Sequence, residues 1–473
     1  MEEYINEKLL EFNNYLKGRK VAIIGLGVSN VPLIDYLHDY KSEVVVFDGR
    51  EIDSIEKNVL DKIVNYGMKF FFGKGYLENL VGFDIIFRSP SCLPTTPELM
   101  KEAERGAIIT TEVEMVIELA PCLVIGVTGS DGKTTTTTLI HEILKEDGYT
   151  CHLGGNIGTP LFTKIKDMLP EDIVVLELSS FQLMNMKISP KISVVTNITP
   201  NHLNIHSDME EYIDAKKNIF KYQDENGLLI LNYDNEITKE FYDEAPGKAV
   251  YFSSKSKIAD GYIYDSEDGK IKVCENGLRK HVFDTRYMKL RGVHNFENAC
   301  SAIIATRDLV KKESIDNVLT NFKGVEHRLE LVKETKNRVK WYNDSVSSSP
   351  TRTMAGLNAF ALKNIILIAG GYDKNLDYTA LGKPIVDNCK ALILLGQTSD
   401  KIEKAVNLEL KKTKKELEVY RCKSLYQTVQ TANQIAKNGD IVLFSPASAS
   451  FDMFKNFAER GEIFKQYVKE IVK

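Results

Sequence analysis

Short apolar runs recur along this chain and alternate with segments of helical periodicity. The first series begins at Lys20 and consists of VAIIGLG, SEVVVFD, KFFFG, DIIFRSP and AIITTEVEM. Runs that are apolar throughout, rather than at every second position, are typical of strands buried on both faces of a parallel sheet. With helices between them, such strands predict an α/β fold with a mostly parallel sheet.

Two further series of the same kind follow. The second contains CLVIGVTG, DIVVLELSS, ISVVTNIT and GLLILNYD, and the third contains VKWYNDS, NIILIAGGYDK, ALILLG, LEVYRC and DIVLFSPAS. A single core rarely serves a chain of 473 residues. We therefore predict three α/β domains over residues 1–115, 116–327 and 328–473. The short alternating runs KAVYFSS, GYIYD and KIKVCENG predict an antiparallel addition within residues 247–291.

Composition excludes several classes of function. A net charge of −5 without a basic stripe argues against nucleic acid as a partner. The sequence has no apolar run near the roughly 18 residues that span a bilayer, and MEEYINEKLLEF lacks the features of a signal peptide. The seven cysteines are scattered, which argues against disulfides and structural zinc. We expect a cytoplasmic protein with reduced thiols and no membrane insertion.

The stretch GVTGSDGKTTTTT, Gly126 to Thr138, follows a buried strand and opens a helix. Backbone amides of such a glycine loop converge on phosphate at the helix N-terminus. Lys133 would reach the terminal phosphates, and the Thr134 hydroxyl would bind Mg²⁺. The loop is a variant of the usual pattern because Val127 occupies its first position. It predicts an ATP site, and a glycine turn without a ligand is the alternative.

Polar residues follow the next two strands of this series. Glu177 lies in IVVLELSS, at the strand end where open α/β sheets bind ligands. A carboxylate buried there needs a cation, which would be Mg²⁺ or a neighbouring lysine. His202 and His206 follow ISVVTNIT. Histidines in loops are commonly surface residues, but the neighbouring phosphate loop favours a role for His202.

Lys216 lies on a predicted helix, SDMEEYIDAKKNIFKY, which Ser207 would cap with Glu210 completing a capping box. Residues at about 100° intervals form an apolar face, and Lys216 falls near its centre. Such a lysine either extends its amine to solvent or is buried. A buried amine has a lowered pKa and is nucleophilic.

Taken together, these motifs resemble the Mur ligase superfamily, and within it the branch that adds D-glutamate. The resemblance covers nearly the whole chain through GLGVS, GVTGSDGKTT, GGNIG, LELSSFQL, NITPNHLNIH, AKKNIF, GVHNFENA, GVEHRLE, YNDSVSSSPTRT, AGGYDKN and SPASASFDMFKNFAERGEIF, in family order. It implies a UDP-binding Rossmann-like domain, a P-loop ATPase-type central domain and a Rossmann-like C-terminal domain. The implied activity joins D-glutamate to UDP-N-acetylmuramoyl-L-alanine through an acyl phosphate, with ATP and Mg²⁺, for peptidoglycan. We expect a monomer.

The resemblance also implies the residues of the ATP site. The catalytic set would be Lys133, Glu177, His202 and Lys216, with Lys216 carbamylated. Metal ligands would be Thr134, Glu177, His202 and Lys216. ATP would contact Gly129, Ser130, Asp131, Gly132, Lys133, Thr134 and Thr135, with Asn295 and Asn298 near adenine. Arg328 and Asp344 would reach ATP from the third domain, so catalysis would require that domain to close.

The substrate residues follow from the same resemblance. The UDP end would meet the amides of Val28 and Ser29, with Asp48 and Arg50 near uracil, and Asn156 would meet the muramoyl part. His202 would also bind substrate. D-Glutamate would be held by Lys374, Ser450, Phe451 and Phe457.

The chain departs from the family at Val346, where a lysine is usual, and at Ser91, where a glycine is usual. Arg352 is the predicted replacement for the missing lysine. Three alternatives stay open. They are a Mur-type ligase for another amino acid, a non-catalytic nucleotide-binding homologue, and a nicotinamide oxidoreductase that uses the incomplete glycine frame of Gly25, Gly27 and Asn30.

Overall fold

The computed structural model describes residues 4–200, 205–290, 292–360, 364–374, 376–413 and 415–472. It divides into two compact units, Met1–Phe322 and Lys323–Lys473. The first unit contains two sheets, A and B, and the second contains sheet C. All three are α/β structures, as the apolar runs predict.

Sheet A has five strands in the order β3-β2-β1-β4-β5, all parallel. The strands are β1 (Lys20–Ile24), β2 (Glu43–Asp48), β3 (Lys69–Phe72), β4 (Ile85–Arg88) and β5 (Ile108–Thr110). The helices are α1 (Glu7–Leu16), α2 (Val31–Asp39), α3 (Lys57–Asn65), α4 (Pro97–Glu104) and α5 (Glu112–Leu119), with a 3-10 turn at Ile52–Ser54. The run AIITTEVEM is divided between β5 and α5, and the predicted boundary at residue 115 falls inside α5.

Sheet B has nine strands in the order β14-β13-β12-β11-β10-β9-β6-β8-β7. They are β6 (Leu123–Thr128), β7 (Cys151–Gly155), β8 (Ile173–Glu177), β9 (Ile192–Val195), β10 (Leu228–Asn232), β11 (Lys248–Ser253), β12 (Gly261–Asp265), β13 (Lys270–Glu275) and β14 (Leu278–Asp284). The helices are α6 (Lys133–Glu146), α7 (Ser180–Leu183), α8 (Met209–Lys217), α9 (Glu236–Glu240), α10 (Val293–Thr306) and α11 (Lys312–Asn321). Three 3-10 segments lie at Phe162–Asp167, Phe241–Glu244 and Thr285–Tyr287.

The prediction for residues 247–291 is half right. Strands β13 and β14 are antiparallel, but β11 and β12 continue the parallel part of sheet B. The chain crosses back through α9 after β10, so β11 enters the sheet in the same direction as β10. Alternating apolar residues indicate a half-solvated strand without fixing its direction, which the connection decides.

Sheet C has six strands in the order β15-β16-β20-β17-β18-β19, and only β15 is antiparallel to its neighbour. The strands are β15 (Glu330–Glu334), β16 (Lys340–Asn343), β17 (Ile365–Ala369), β18 (Cys389–Leu394), β19 (Glu418–Arg421) and β20 (Ile441–Phe444). The helices are α12 (Pro350–Asn358), α13 (Gly382–Asn388), α14 (Ser399–Thr413), α15 (Leu425–Ile435) and α16 (Phe457–Ile471), with a 3-10 turn at Thr379–Leu381.

Sheets A and B share one hydrophobic core. Its buried residues come from α1, β1 and α2 on one side and from β8 and the 3-10 segment at Phe162–Asp167 on the other. Phe162 is 1% exposed and makes edge contacts with Phe12, Tyr36 and Phe87, at ring-centroid distances of 6.1, 4.8 and 5.9 Å. Because apolar interiors are close-packed, this junction holds the two sheets in a fixed arrangement.

No helix in the described part of the chain is long and apolar enough to cross a membrane. The seven cysteines are free thiols, four of them buried, as their scattered positions predict.

Parallel strands place their carboxyl ends at one edge of a sheet. In sheet B the neighbours β8, β6 and β9 end at Glu177, Thr128 and Val195. The loops that follow these strands therefore meet at this edge, where open α/β sheets bind ligands.

Candidate nucleotide and substrate site

The loop between β6 and α6 is so tightly packed that two of its positions require glycine. Gly129 and Gly132 have φ values of +143° and +82°, in the left-handed region that L side chains rarely adopt. A Cβ atom on Gly129 would lie 1.9 Å from Thr196 Oγ1, and one on Gly132 would lie 2.5 Å from Asn298 Oδ1. These contacts explain the glycine spacing of the sequence.

The end of β9 holds the loop in place. The Ser130 amide donates to the Asn197 carbonyl at 2.8 Å, and the Asp131 amide donates to Asn197 Oδ1 at 2.9 Å. The 14-residue helix α6 then begins at Lys133 without a side-chain cap from Gly132. A helix N-terminus with this form presents amide hydrogens and a positive dipole end to an anion.

Two lysine amines meet at one carbonyl oxygen of the loop. Lys133 Nζ donates to the Gly129 oxygen at 2.9 Å, and Lys216 Nζ donates to the same oxygen at 3.0 Å. Lys133 also donates to the Ser130 oxygen at 2.9 Å, and Lys216 to Thr128 Oγ1 at 3.2 Å. This contact brings together two residues, 133 and 216, that are 83 positions apart in the sequence.

The structure buries Lys216 and so excludes the alternative in which its amine extends to solvent. The residue is 2% exposed, and its amine lies 4.9 Å from the centre of the Tyr212 ring. Burial, together with the nearby charge of Lys133, lowers the pKa of Lys216 well below its usual value, against an opposing effect of Glu177. The Lys216 amine therefore loses its proton at a lower pH than the amine of an exposed lysine does.

Helix α8, which carries Lys216, starts one residue later than predicted. Asp208 is its N-cap and accepts a hydrogen bond from the Glu211 amide at 2.8 Å. The Ser207 amide donates to Glu211 Oε2 at 2.7 Å. The predicted cap at Ser207 with Glu210 is therefore wrong by one position, because Ser-Asp followed by Glu-Glu fits the capping pattern in either register.

Glu177 is a buried carboxylate with one unused oxygen. The residue is 2% exposed, and Oε1 accepts a hydrogen bond from Asn156 Nδ2 at 2.7 Å. Oε2 is buried without a hydrogen-bond partner, and no lysine or arginine among the described residues pairs with it. A buried polar atom of this kind is costly unless a partner binds it. A carboxylate oxygen is also a preferred ligand of Mg²⁺, so the residues fit that ion.

Two other predicted metal ligands are Thr134 and His202. Thr134 is the second residue of α6, close behind the glycine loop. His202 lies outside the described residues, so its predicted role stays a prediction.

The start of α10 packs on the glycine loop. Asn298 Oδ1 accepts a hydrogen bond from Thr136 Oγ1 of α6 at 3.2 Å. Asn298 Nδ2 donates to Asn295 Oδ1 at 3.4 Å. Both asparagines are buried, and Asn298 contacts the first turn of α6. Their contact with adenine stays a prediction.

Two aromatic residues that support Lys216 were not predicted as part of the site. The Tyr212 hydroxyl lies 2.9 Å from Ser130 Oγ, which ties α8 to the glycine loop. The buried His206 ring stacks on Phe181 at 5.1 Å and makes an edge contact with Tyr212 at 5.2 Å. Tyr212 was identifiable only as a member of the apolar face of α8, and His206 only as a loop histidine.

In sheet A, Asp48 organises the loop after β1. Its carboxylate accepts hydrogen bonds from the Leu26 amide at 2.7 Å and from the Arg50 guanidinium at 2.8 Å. Burial acts to raise the pKa of Asp48, but the hydrogen bonds from Arg50 and Leu26 outweigh it and hold the pKa below its usual value. Asn30 donates to the Ile24 and Gly25 oxygens, both at 3.0 Å, and so closes the frame where its last glycine is absent. Val28 is 78% exposed at the loop tip.

The second unit contains the other predicted residues. Asp344 is buried and accepts hydrogen bonds from the hydroxyls of Ser347 and Ser445, both at 2.7 Å. Burial nevertheless raises the pKa of Asp344 above its usual value. Arg328 follows His327 in the segment before β15, and Leu329 donates its amide to Asp344 Oδ1 at 3.2 Å.

Two of the four predicted D-glutamate residues are in contact. The Lys374 amine lies 5.4 Å from the centre of the exposed Phe451 ring. Ser450 is buried next to Phe451, and Phe457 opens α16 with its ring edge-on to His327 at 6.2 Å. Arg352 Nη1 donates to the Val346 oxygen at 3.3 Å, so its guanidinium lies beside the position that departs from the family.

The geometry of sheet B defines a class: a parallel α/β domain whose glycine loop, helix N-terminus, paired lysines and buried carboxylate suit a nucleotide phosphate and a divalent cation. Comparison with known families gives the particular family. The Mur ligase middle domain matches residues 127–306, the glutamate ligase domain of Mur ligases matches 327–448, and the MurD-like N-terminal domain matches 19–111. The chain belongs to the Mur ligase family.

Two relatives cover the full length. A protein of Acetivibrio thermocellus named UDP-N-acetylmuramoylalanine--D-glutamate ligase is 48% identical over 470 residues, which are 99% of this chain and 100% of the relative. One with the same name from Ruminiclostridium cellulolyticum is 46% identical over 469 residues, again 99% and 100%.

Solved structures show the same fold at low identity. The UDP-N-acetylmuramate-alanine ligase of Thermotoga maritima superposes with a TM-score of 0.55 at 17% identity, over 96% of this chain and 99% of that one. The MurF ligase of the same organism, in complex with ADP, superposes with a TM-score of 0.51 at 16% identity, over 97% of both chains.

The burial of Lys216 predicts a pH-dependent stability. In the unfolded chain a lysine has a pKa of about 10.4. Because the pKa of Lys216 is lower in the folded protein, the unfolded state binds more protons between the two values, and stability rises with pH there. The variant Lys216→Met removes this cost. We expect its Tm to exceed that of the wild type by several degrees near neutral pH, with the difference shrinking as the pH approaches about 10.

Calorimetry in carbon-dioxide-depleted buffer across this pH range measures the effect. Lys217→Met is the matched control, because the neighbouring Lys217 pairs with Glu244 at 2.7 Å on the surface. A difference between Lys216→Met and the wild type that stays constant with pH contradicts the prediction.

Proposed function

We propose that this protein is an ATP-dependent ligase that joins D-glutamate to UDP-N-acetylmuramoyl-L-alanine, releasing ADP and phosphate, in peptidoglycan precursor synthesis. The observation that carries the proposal is the meeting of Lys133 and Lys216 at the Gly129 carbonyl, at the strand edge that also holds Glu177. The full-length relatives named for this reaction support the choice of substrates. The substrates are small molecules, and we propose a cytoplasmic monomer.

The reaction has two steps. A carboxylate oxygen of the UDP-linked acid bonds to the γ-phosphorus of ATP, and the bond between that phosphorus and the β,γ-bridging oxygen breaks, which gives an acyl phosphate and ADP. The amine of D-glutamate then attacks the acyl carbon, loses a proton, and expels inorganic phosphate. In such a transfer the protein mainly positions the groups and balances charge.

The chain's own residues supply that positioning. The amides at the start of α6 and the Lys133 ammonium would bind the terminal phosphates and stabilise the charge that develops on them. Glu177 Oε2, the Thr134 hydroxyl, His202 and modified Lys216 are the proposed Mg²⁺ ligands. When bound, Mg²⁺ would neutralise charge on the phosphate oxygens.

Lys216 is the proposed site of carbamylation. Its neutral amine would form a bond to the carbon of CO₂ and release a proton, which leaves an anionic carbamate. The burial of Lys216 and its contact with the carbonyl that also binds Lys133 support this proposal. A carbamate there would place an anion beside the Lys133 ammonium, which is electrostatically favourable.

The nucleotide of the acid would bind at sheet A. The loop after β1, which Asp48 and Asn30 hold, would receive the diphosphate through the Val28 and Ser29 amides. The half-exposed Arg50 next to Asp48 would contact uracil.

Release of inorganic phosphate tests the proposed function. With ATP, Mg²⁺ and UDP-N-acetylmuramoyl-L-alanine, we expect release to depend on D-glutamate within a panel that includes L-glutamate, L-alanine and L-lysine. Dependence on another amino acid would indicate a different Mur-type ligase. If no amino acid of the panel causes phosphate release, the protein would be a non-catalytic homologue. A change of NAD(H) fluorescence on mixing would indicate an oxidoreductase.

Arg352 is the proposed cation for a D-glutamate carboxylate in place of the lysine that the chain lacks at Val346. We expect Arg352→Ala to raise KM for D-glutamate by about 10- to 150-fold, in line with about 1.5–3 kcal/mol for a hydrogen bond to a charged group. KM for ATP should change little. Arg421→Ala is the matched control, because Arg421 is an exposed arginine of the same unit that pairs with Glu403. An unchanged KM for D-glutamate would refute the role of Arg352.

A further inference from the structure

Arg88 is a buried arginine whose described hydrogen bonds all go to backbone carbonyls. It ends β4 of sheet A and is 2% exposed. Its guanidinium donates to the Cys92 oxygen at 3.2 Å in its own loop, and to the Phe181 and Met184 oxygens at 3.1 and 2.7 Å in the sheet B domain. Burial lowers the pKa of Arg88 below its usual value, as expected for a charge that lies away from solvent.

The two carbonyls across the junction belong to the end of helix α7. This helix has only four residues, Ser180–Leu183, with Met184 as its C-cap. The last carbonyls of a helix lack partners within the helix and carry its negative dipole end, so a cation stabilises them. Ser179 and Gln182 form a capping box at the other end. Arg88 therefore caps, from sheet A, a short helix that belongs to sheet B.

Each side of this contact leads to a predicted substrate site. On the side of sheet A, Ser89 follows Arg88, and a Cβ atom on Gly25 would lie 2.5 Å from its Oγ. Gly25 opens the loop proposed for the UDP diphosphate. Arg88 is thus the neighbour in sequence of Ser89, the residue that packs against Gly25 in that loop.

On the side of sheet B, α7 starts three residues after Glu177. Ser180 Oγ lies 3.0 Å from His206 Nε2, and the Phe181 ring stacks on the His206 ring at 5.1 Å. His206 contacts Tyr212, whose ring lies 4.9 Å from the Lys216 amine. Packed contacts therefore run from Arg88 through α7 to Lys216.

A second link joins sheet A to the end of the same segment. The Lys187 amide donates to Glu114 Oε1 of α5 at 2.9 Å, and Thr110 Oγ1 donates to Glu114 Oε2 at 3.1 Å. Residues 181–187 are thereby held from sheet A at both ends.

We propose that Arg88 is a positioning residue of the ligase reaction, which fixes α7, and with it Glu177 and the Lys216 support, relative to the site for the UDP-linked acid. The proposal rests on the proposed function. The acid is anchored through its nucleotide at sheet A, whereas the γ-phosphate binds at sheet B. The distance between the reacting atoms then depends on how the two sheets are held, and a misplacement of about 1 Å can cost about 100-fold in rate.

Kinetics of Arg88→Met and Arg88→Lys, with Arg19→Met as control, test the proposal. Arg19 is a half-exposed arginine of sheet A that pairs with Asp84 within the same sheet. We expect Arg88→Met to lower kcat about 10- to 100-fold, with dissociation constants for ATP and for the UDP-linked acid within about threefold of the wild type. The kcat of Arg88→Lys should lie between those of Arg88→Met and the wild type, and the kcat of Arg19→Met should match that of the wild type.

An unchanged kcat in Arg88→Met would overturn the proposal. So would affinities that fall in parallel with kcat, because these indicate a role in folding alone. If Arg88→Met does not fold, Arg88→Lys decides by the same two criteria.

Hydrogen exchange of residues 178–187 gives a measurement that does not depend on activity. Binding of UDP-N-acetylmuramoyl-L-alanine should slow exchange there in the wild type and in Arg19→Met. We expect no such slowing in Arg88→Met. If Arg88→Met does not fold, the same result is expected of Arg88→Lys. Equal slowing in the wild type and the deciding Arg88 variant, or none in the wild type, would contradict the proposal. A wild type without D-glutamate-dependent phosphate release contradicts the proposed function, and the exchange result still decides the role of Arg88.

Discussion

The carbonyl oxygen of Gly129 accepts hydrogen bonds from two lysine amines, and the site is organised around this contact. It exists because Gly129 adopts a backbone conformation that other residues rarely adopt, packed against Thr196. It also requires the apolar face of α8 to bury Lys216. Burial and the neighbouring charge of Lys133 both lower the pKa of Lys216 and so favour its neutral form.

Two kinds of contact join sheets A and B in the first unit, apolar packing and hydrogen bonds, and they have different effects. Apolar packing around Phe162 supplies the strength of the junction, since the hydrophobic effect is large but not directional. Arg88 supplies direction, because a planar guanidinium must meet its carbonyls at fixed angles. The junction between the two sheets therefore combines strength with a defined geometry.

The sequence predicted well wherever burial was complete. The strands β17 and β20 are apolar throughout, and β1, β6 and β8 are apolar except for one residue at an end. The glycine loop is limited by sterics that only glycine satisfies. Prediction failed where solvent or long-range contacts decide the structure. Strands β7 and β15 were missed, because CHLGG is rich in glycine and three of the five residues of ELVKE, at a sheet edge, are charged. The partners of Arg88 and Tyr212 come from distant segments, and no local pattern reveals them.

A crystal structure with a non-hydrolysable ATP analogue and Mg²⁺ tests the central claim most directly. The account predicts the β- and γ-phosphates at the amides of residues 129–134, the Lys133 ammonium on the γ-phosphate, and the metal bonded to the unused Oε2 of Glu177. A nucleotide bound elsewhere, or a Glu177 Oε2 that stays without a partner in the complex, would contradict it.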